Sequence, residues 1–157
     1  MPALADIVLT AKNQDALIAD CVRLTEGRIA ARGGLRGIAM KTSLSLLKAA
    51  RPDILTRAMR VLLPDFVSVL DPLYQQYAAA SVKDRRGDFA GFLQARSADA
   101  VAALLGVTDG RAARAQNPLV KSVYARLRSG AEGEVGAALP DFARLLSNYL
   151  PRTNRAS

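Results

Sequence analysis

The sequence predicts an all-α fold, a single irregular bundle of about seven to eight short helices. Three observations predict it. Half of the 157 residues are hydrophobic, with few aromatics and no Trp; the Ala, Leu and Arg that dominate lose little side-chain freedom in a helix. Apolar residues recur at three- and four-residue spacings, and no segment alternates with period two for long enough to read as a strand. Prolines sit just before apolar-periodic runs, at Arg51-Pro52-Asp53, Leu63-Pro64-Asp65, Asn117-Pro118 and Leu139-Pro140-Asp141. Proline suits the first helical position, and an early Asp favours the positive end of the helix dipole. Loops and prolines recur too often for a simple four-helix bundle.

The first helix is expected over residues 13–31, with Leu17, Cys21 and Leu24 on one face and Gly33-Gly34 as its stop. The second is expected over 37–50. Ile38, Met40, Leu44, Leu46 and Leu47 make most of its circumference apolar, so a central, mostly buried position is expected. The third spans 52–62, with Arg57 and Arg60 outward. The fourth follows Pro64, with Phe66, Leu70, Leu73 and Tyr77 at helical spacing across Pro72, which is either a first position or a kink. Residues 83–88 read as a polar connector. A helix over 89–96 follows, then one that Ser97-Ala98-Asp99 caps and Gly106 ends. Asn117 is a good N-cap for a helix over 117–127. Residues 130–136 are glycine-rich and read as frayed or as a short turn, before a last helix over 140–150. The organisation is one helical domain over residues 1–150 and a loose basic tail over 151–157.

One local repeat stands out. Leu63-Pro64-Asp65-Phe66-Val67-Ser68-Val69-Leu70 and Leu139-Pro140-Asp141-Phe142-Ala143-Arg144-Leu145-Leu146 agree at five of eight positions. The simpler reading is two helices started by the same grammar; the other is a weak two-fold relation between halves.

Charge is concentrated. Residues 28–60 carry eight basic side chains against one acid, Asp53, in a chain whose net charge is +8. Such a segment points to an anionic partner. Arg32 and Arg36 flank a helix start, where outward N–H groups attract a phosphate or carboxylate, and with Lys41 they form the candidate anion site. Arg57, Arg60, Lys121 and Arg128 form a secondary basic face. Lys41-Thr42 ends like a phosphate loop, but Leu35 and Met40 occupy its glycine positions and no strand precedes it.

Other classes are excluded or weakened. With no histidine and one cysteine, Cys21, neither a zinc pattern nor a Ser-His-Asp or Cys-His centre can be written. No metal, cofactor or catalytic residue is expected. Asp65 and Asp141 would make a carboxylate pair only if the two repeats met, and each also suits a helix dipole. Cys21 reads as a buried thiol. The N-terminus lacks a signal-like apolar core and no apolar run reaches the ~20 residues of a bilayer span, so the cytoplasm is the expected address.

The stretch from Gly33 to Tyr74 carries a glycine turn, an apolar helix with lysines, Ala50-Arg51-Pro52-Asp53-Ile54, Leu63-Pro64-Asp65-Phe66 and Asp71-Pro72. It resembles a family of small all-helical bacterial proteins of unknown function. The stretch from Ala103 to Ala112, leading into Val123-Tyr124-Ala125-Arg126-Leu127-Arg128, is similar to that family's second half. The resemblance implies a small helical protein with no assigned activity and supplies no catalytic or binding residues. The expected function is therefore a non-enzymatic binding or protein-interaction module, with an anionic ligand or a protein as partner and a homo-oligomer left open. The first alternative is a nucleic-acid-associated protein using phosphate contacts, less favoured because no Asn, Gln or aromatic residue accompanies the outward arginines. The second is binding of an apolar ligand or lipid.

Overall fold

The computed structural model describes residues 2–81, 83 and 87–151. Among them are eight helices and no strand: α1 (Leu4–Val8), α2 (Gln14–Ala31), α3 (Gly34–Ala50), α4 (Ile54–Ala79), α5 (Phe89–Ala95), α6 (Ser97–Arg114), α7 (Pro118–Arg128) and α8 (Ala131–Asn148). The all-α bundle of about eight helices is as expected. The tail beyond Pro151 and half of the polar connector, residues 84–86, lie outside the described residues.

The boundaries of α2, α5 and α7 follow the sequence because their grammar is local. Asn117 accepts the Leu119 N–H at 2.9 Å, and Asp88 accepts the Gly91 N–H at 2.9 Å, as N-cap side chains do. Elsewhere the helices are longer than their punctuation suggests. The third and fourth expected helices are one, α4, with Pro64 and Pro72 inside it. The glycine-rich 130–136 segment and the last expected helix are likewise one, α8, with Pro140 inside. Gly106 does not end α6, which continues to Arg114. An interior proline leaves the carbonyl four residues back without its donor and costs about 3 kcal/mol. In α4 an unbroken apolar stripe opposes that cost: Leu63, Val67 and Leu70 are wholly buried, followed by Leu73, Tyr74 and Tyr77. In α8 the stripe is Leu139, Ala143 and Leu146. α1 is an addition that the sequence did not signal. Leu4 and Val8 bury its inner face against α4, and the Leu4 N–H is capped by Asp71 Oδ1 at 2.7 Å.

Four helices form a ring: α2 packs on α4 and α8, and α6 packs on the same two. α2 and α8 run antiparallel. Successive bridges pair Asp20 with the Tyr149 hydroxyl (2.7 Å), Arg28 with Asp141 (3.9 Å) and Arg32 with Glu134 (3.0 Å). One end of the ring is closed by α1 and α5. There Phe89 meets Tyr74 edge-to-face and Tyr77 at a tilt (centroids 5.4 Å from each), Phe92 meets Tyr77 at 5.6 Å, and the Arg96 guanidinium lies 3.8 Å over the Phe92 ring.

The other end is covered by α3 and α7. The expectation of a central second helix is corrected here: α3 is peripheral. It packs on α2 and α7, and its only buried residues are Gly37 and Ser43. Leu35 is 86% exposed and Ile38 62%. Apolar residues all round a helix do not say which side will be covered, and the ring was completed by α6 and α8 instead. Gly34 takes φ +71°, the left-handed region that lets the chain turn from α2 into α3.

Candidate functional site

Between the ring helices, at the end covered by α3 and α7, lies a pocket of about 270 Å3. Cys21, Leu24 and Ile29 of α2, Met40 of α3, Met59 and Phe66 of α4, Leu104 and Leu105 of α6, and Val135, Ala138, Leu139 and Phe142 of α8 form its walls. Spaces between bundle helices are common ligand sites. The two repeated motifs meet here. Phe66 and Phe142 are edge-to-face with centroids 6.4 Å apart. The surrounding positions match as well: Leu63 and Leu139, Val67 and Ala143, and Leu70 and Leu146 are buried in pairs. Neither motif starts a helix. Both supply a half-buried Phe to one cavity from opposite sides of the ring.

The polar groups on the wall offer little to a ligand. Thr25 donates to the Cys21 carbonyl at 2.9 Å and Thr108 to the Leu105 carbonyl at 3.1 Å, so both hydroxyl protons return to their own helices. Burial, and secondarily the charge of Asp20, pushes the Cys21 thiol up to about 12, which keeps it protonated and apolar in character. The charged lining residues are Arg28 and Glu134, both partly solvent-exposed and so placed at the rim.

The candidate anion site is built around a carboxylate of the chain itself. Arg32 Nε and Arg36 Nε lie 3.0 and 3.5 Å from Glu134 Oε1, and Arg36 Nη2 donates to the Leu127 carbonyl at 2.8 Å. Arg36 lies across Gly130, where any Cβ would collide with its guanidinium. Arg36 Nε is buried and makes no hydrogen bond. Arg32 and Arg36 are thus brought together, with Glu134 between them. Lys41 is exposed and makes no ion pair among the described residues.

The secondary basic face is mostly paired: Arg57 with Asp53 (2.8 Å), Arg60 with Asp15 (3.4 Å) and Arg128 with Asp109 (2.7 Å), while Lys121 makes no ion pair among the described residues. Of the eight cations in residues 28–60, six bind carboxylates, and four of those five carboxylates (Asp15, Glu26, Glu134, Asp141) lie outside the segment. Asp65 is bound by Arg111 at 2.6 Å, and Asp141 by Arg144 and, more distantly, Arg28. Each of these two carboxylates therefore has its own arginine.

The model of a family of unknown function, DUF6918, matches residues 4–150. The chain belongs to that family. The match takes in every residue of the pocket and of the arginine cluster around Glu134. No curated protein and no solved structure matches the chain. Sequence reasoning missed the pocket residues, because five helices contribute them. The one available signal was the Leu-Pro-Asp-Phe repeat, whose two phenylalanines face each other across the cavity.

Proposed function

We propose that the chain is a binding protein that holds a small apolar ligand, or the apolar end of a larger one, in the pocket between its ring helices. The observation that carries this is the pocket's lining: the hydroxyl donors are internally satisfied, the thiol is neutral, and charge is confined to the rim. At about 270 Å3 it falls just under the ~300 Å3 at which pockets for drug-sized ligands begin. Each buried methylene contributes about 0.8 kcal/mol of transfer free energy. The nucleic-acid reading has less support, because most cations of residues 28–60 already hold internal carboxylates.

The test is displacement of a neutral fluorescent apolar probe from the full chain, with native mass spectrometry for co-purifying mass. The pocket reading expects saturable probe binding that Leu104→Trp abolishes while the far-UV spectrum is unchanged. Unsaturable probe binding, or binding indifferent to Leu104→Trp, counts against it.

A protein-interaction role is a second reading, favoured by the exposed Leu35 and Ile38 on α3. It expects a self-associating chain in sedimentation equilibrium that Ile38→Lys returns to monomer. A monomer at every concentration argues against self-association.

A further inference from the structure

The rim of the pocket assigns a class to its ligand, on the reading that the pocket binds one. We propose that the ligand is a free single-chain amphiphile with an anionic head, its alkyl end inside the cavity and its head on Arg28.

The shape sets the tail. A cavity of about 270 Å3 has room for a single medium-length alkyl chain. Thr25 and Thr108 both turn their protons back to their own helices, which leaves only the weakly donating Cys21 thiol to meet a polar group inside the cavity. A polar head must therefore stay at the rim, where desolvation is incomplete.

The charge at the rim sets the head. The linked ion pairs there contain four guanidinium groups, Arg28, Arg32, Arg36 and Arg144, against two carboxylates, Glu134 and Asp141. The excess is two positive charges, which repels a cationic head and attracts an anionic one. The four arginines are not equally available. Arg32 and Arg36 hold Glu134, and Arg144 holds Asp141. Among the described residues, Arg28 alone both lines the pocket and keeps spare donors, since the one ion-pair partner it has there, Asp141, lies 3.9 Å away and is already bound by Arg144. A guanidinium presents five N–H donors in a fork that fits a carboxylate or phosphate edge. Glu134 stands beside this site as a resident carboxylate, so its negative charge weakens the attraction for an incoming one.

The experiment compares decanoate with decanol, which share a chain and differ in head charge, by displacement of the neutral probe from the full chain. Decanoate is expected to bind about tenfold more tightly than decanol, the difference that one charge-assisted hydrogen bond provides. Arg28→Gln removes that advantage and leaves decanol unchanged, Arg28→Lys restores part of it, and Glu134→Gln strengthens decanoate alone. Added salt weakens decanoate and leaves decanol alone, as screening requires of a partly exposed pair. Arg28 is half-exposed, and a thermal melt of each variant checks that the fold is retained. If decanol binds as well as decanoate, or if Arg28→Gln leaves decanoate unchanged, the anionic head is wrong while the pocket reading stands. If neither displaces a saturably bound probe, the single-chain amphiphile is wrong; if the probe itself does not bind, the pocket reading falls with it. Co-sedimentation with anionic vesicles in the absence of decanoate binding would assign the charged rim to a membrane surface and overturn the free amphiphile.

Discussion

The two ends of the ring are covered in opposite ways. At the aromatic end, α1 has five residues and buries Leu4 and Val8, while α5 has seven and buries Phe89, Ala90, Phe92 and Leu93. At the pocket end, α3 has seventeen residues and buries only Gly37 and Ser43, and α7 has eleven and buries only Val123. The short helices are the packed ones. The long ones are held in large part by polar ties: Arg36 to the Leu127 carbonyl, Arg128 to Asp109, and the Tyr124 hydroxyl to Asp109. How much apolar surface a helix covers is therefore not set by its length or hydropathy. The pocket lies between the ring helices and α3. Low local burial of this kind is where local opening costs least.

Substitutions can break this contrast. Phe89→Ala should cost the most, about 3–5 kcal/mol in a urea melt, because the ring is wholly enclosed by Tyr74, Tyr77 and its neighbours. Leu104→Ala should cost no more than about 2 kcal/mol, since one side of that side chain already faces open space. Equal costs would mean that the two ends are equally packed.

Ala138→Leu comes next, with the opposite sign. It should stabilise the chain by about 0.5–2 kcal/mol by filling the cavity, and abolish probe binding. A destabilised variant would mean that the space is already occupied by well-packed side chains.

Cys21 sharpens where the boundary between the ends lies. Its thiol is pushed up to about 12 from an ordinary value of 9.0, so folding favours the protonated form. That contribution is complete below pH 9 and is lost as pH rises towards 12, which predicts a falling stability on the alkaline side. Tyr149, raised from 10.0 to about 12 by burial and by its bond to Asp20, acts in the same direction. At pH 8, iodoacetamide should alkylate Cys21 roughly a hundredfold more slowly in the folded chain than in urea. Comparable rates would mean that the thiol is neither shielded nor held protonated by the fold.

The smallest effect is expected at Asp109, which anchors α7. The Arg128 guanidinium, and then the Tyr124 hydroxyl, hold its carboxyl below the usual carboxylate range. Its stabilising contribution is present above the ordinary value of 3.8 and is lost as pH falls through the lowered one. Asp109→Asn should therefore flatten the acid limb of the stability profile below about pH 4 and leave the alkaline limb unchanged. An unchanged acid limb would show that other contacts hold α7.

Much of the fold was legible where structure is set within a helical turn or two. Asn117 announced α7, the spacing of Leu17 and Cys21 announced the inner face of α2, and the apolar stripe of α4 was visible across Pro72. Pro64 and Pro140 misled because a proline that can start a helix can also sit inside one when the burial of Leu63, Val67 and Leu70, or of Leu139, Ala143 and Leu146, outweighs the lost hydrogen bond. The candidate site was legible in part. Arg32 and Arg36 do converge, but Glu134 lies about a hundred residues further along the chain, and no local rule places it there.

By itself, the sequence determined that this chain is all-α, that it holds no histidine and one cysteine, and that its helices carry apolar stripes. These follow from propensity, capping and periodicity, which act between residues a few positions apart. The tertiary structure decided which stripes were covered, leaving α3 outside and a cavity beneath it, and which carboxylates neutralised the cations of residues 28–60. Burial and ion pairing join segments distant in sequence, and they exist only once the helices have packed.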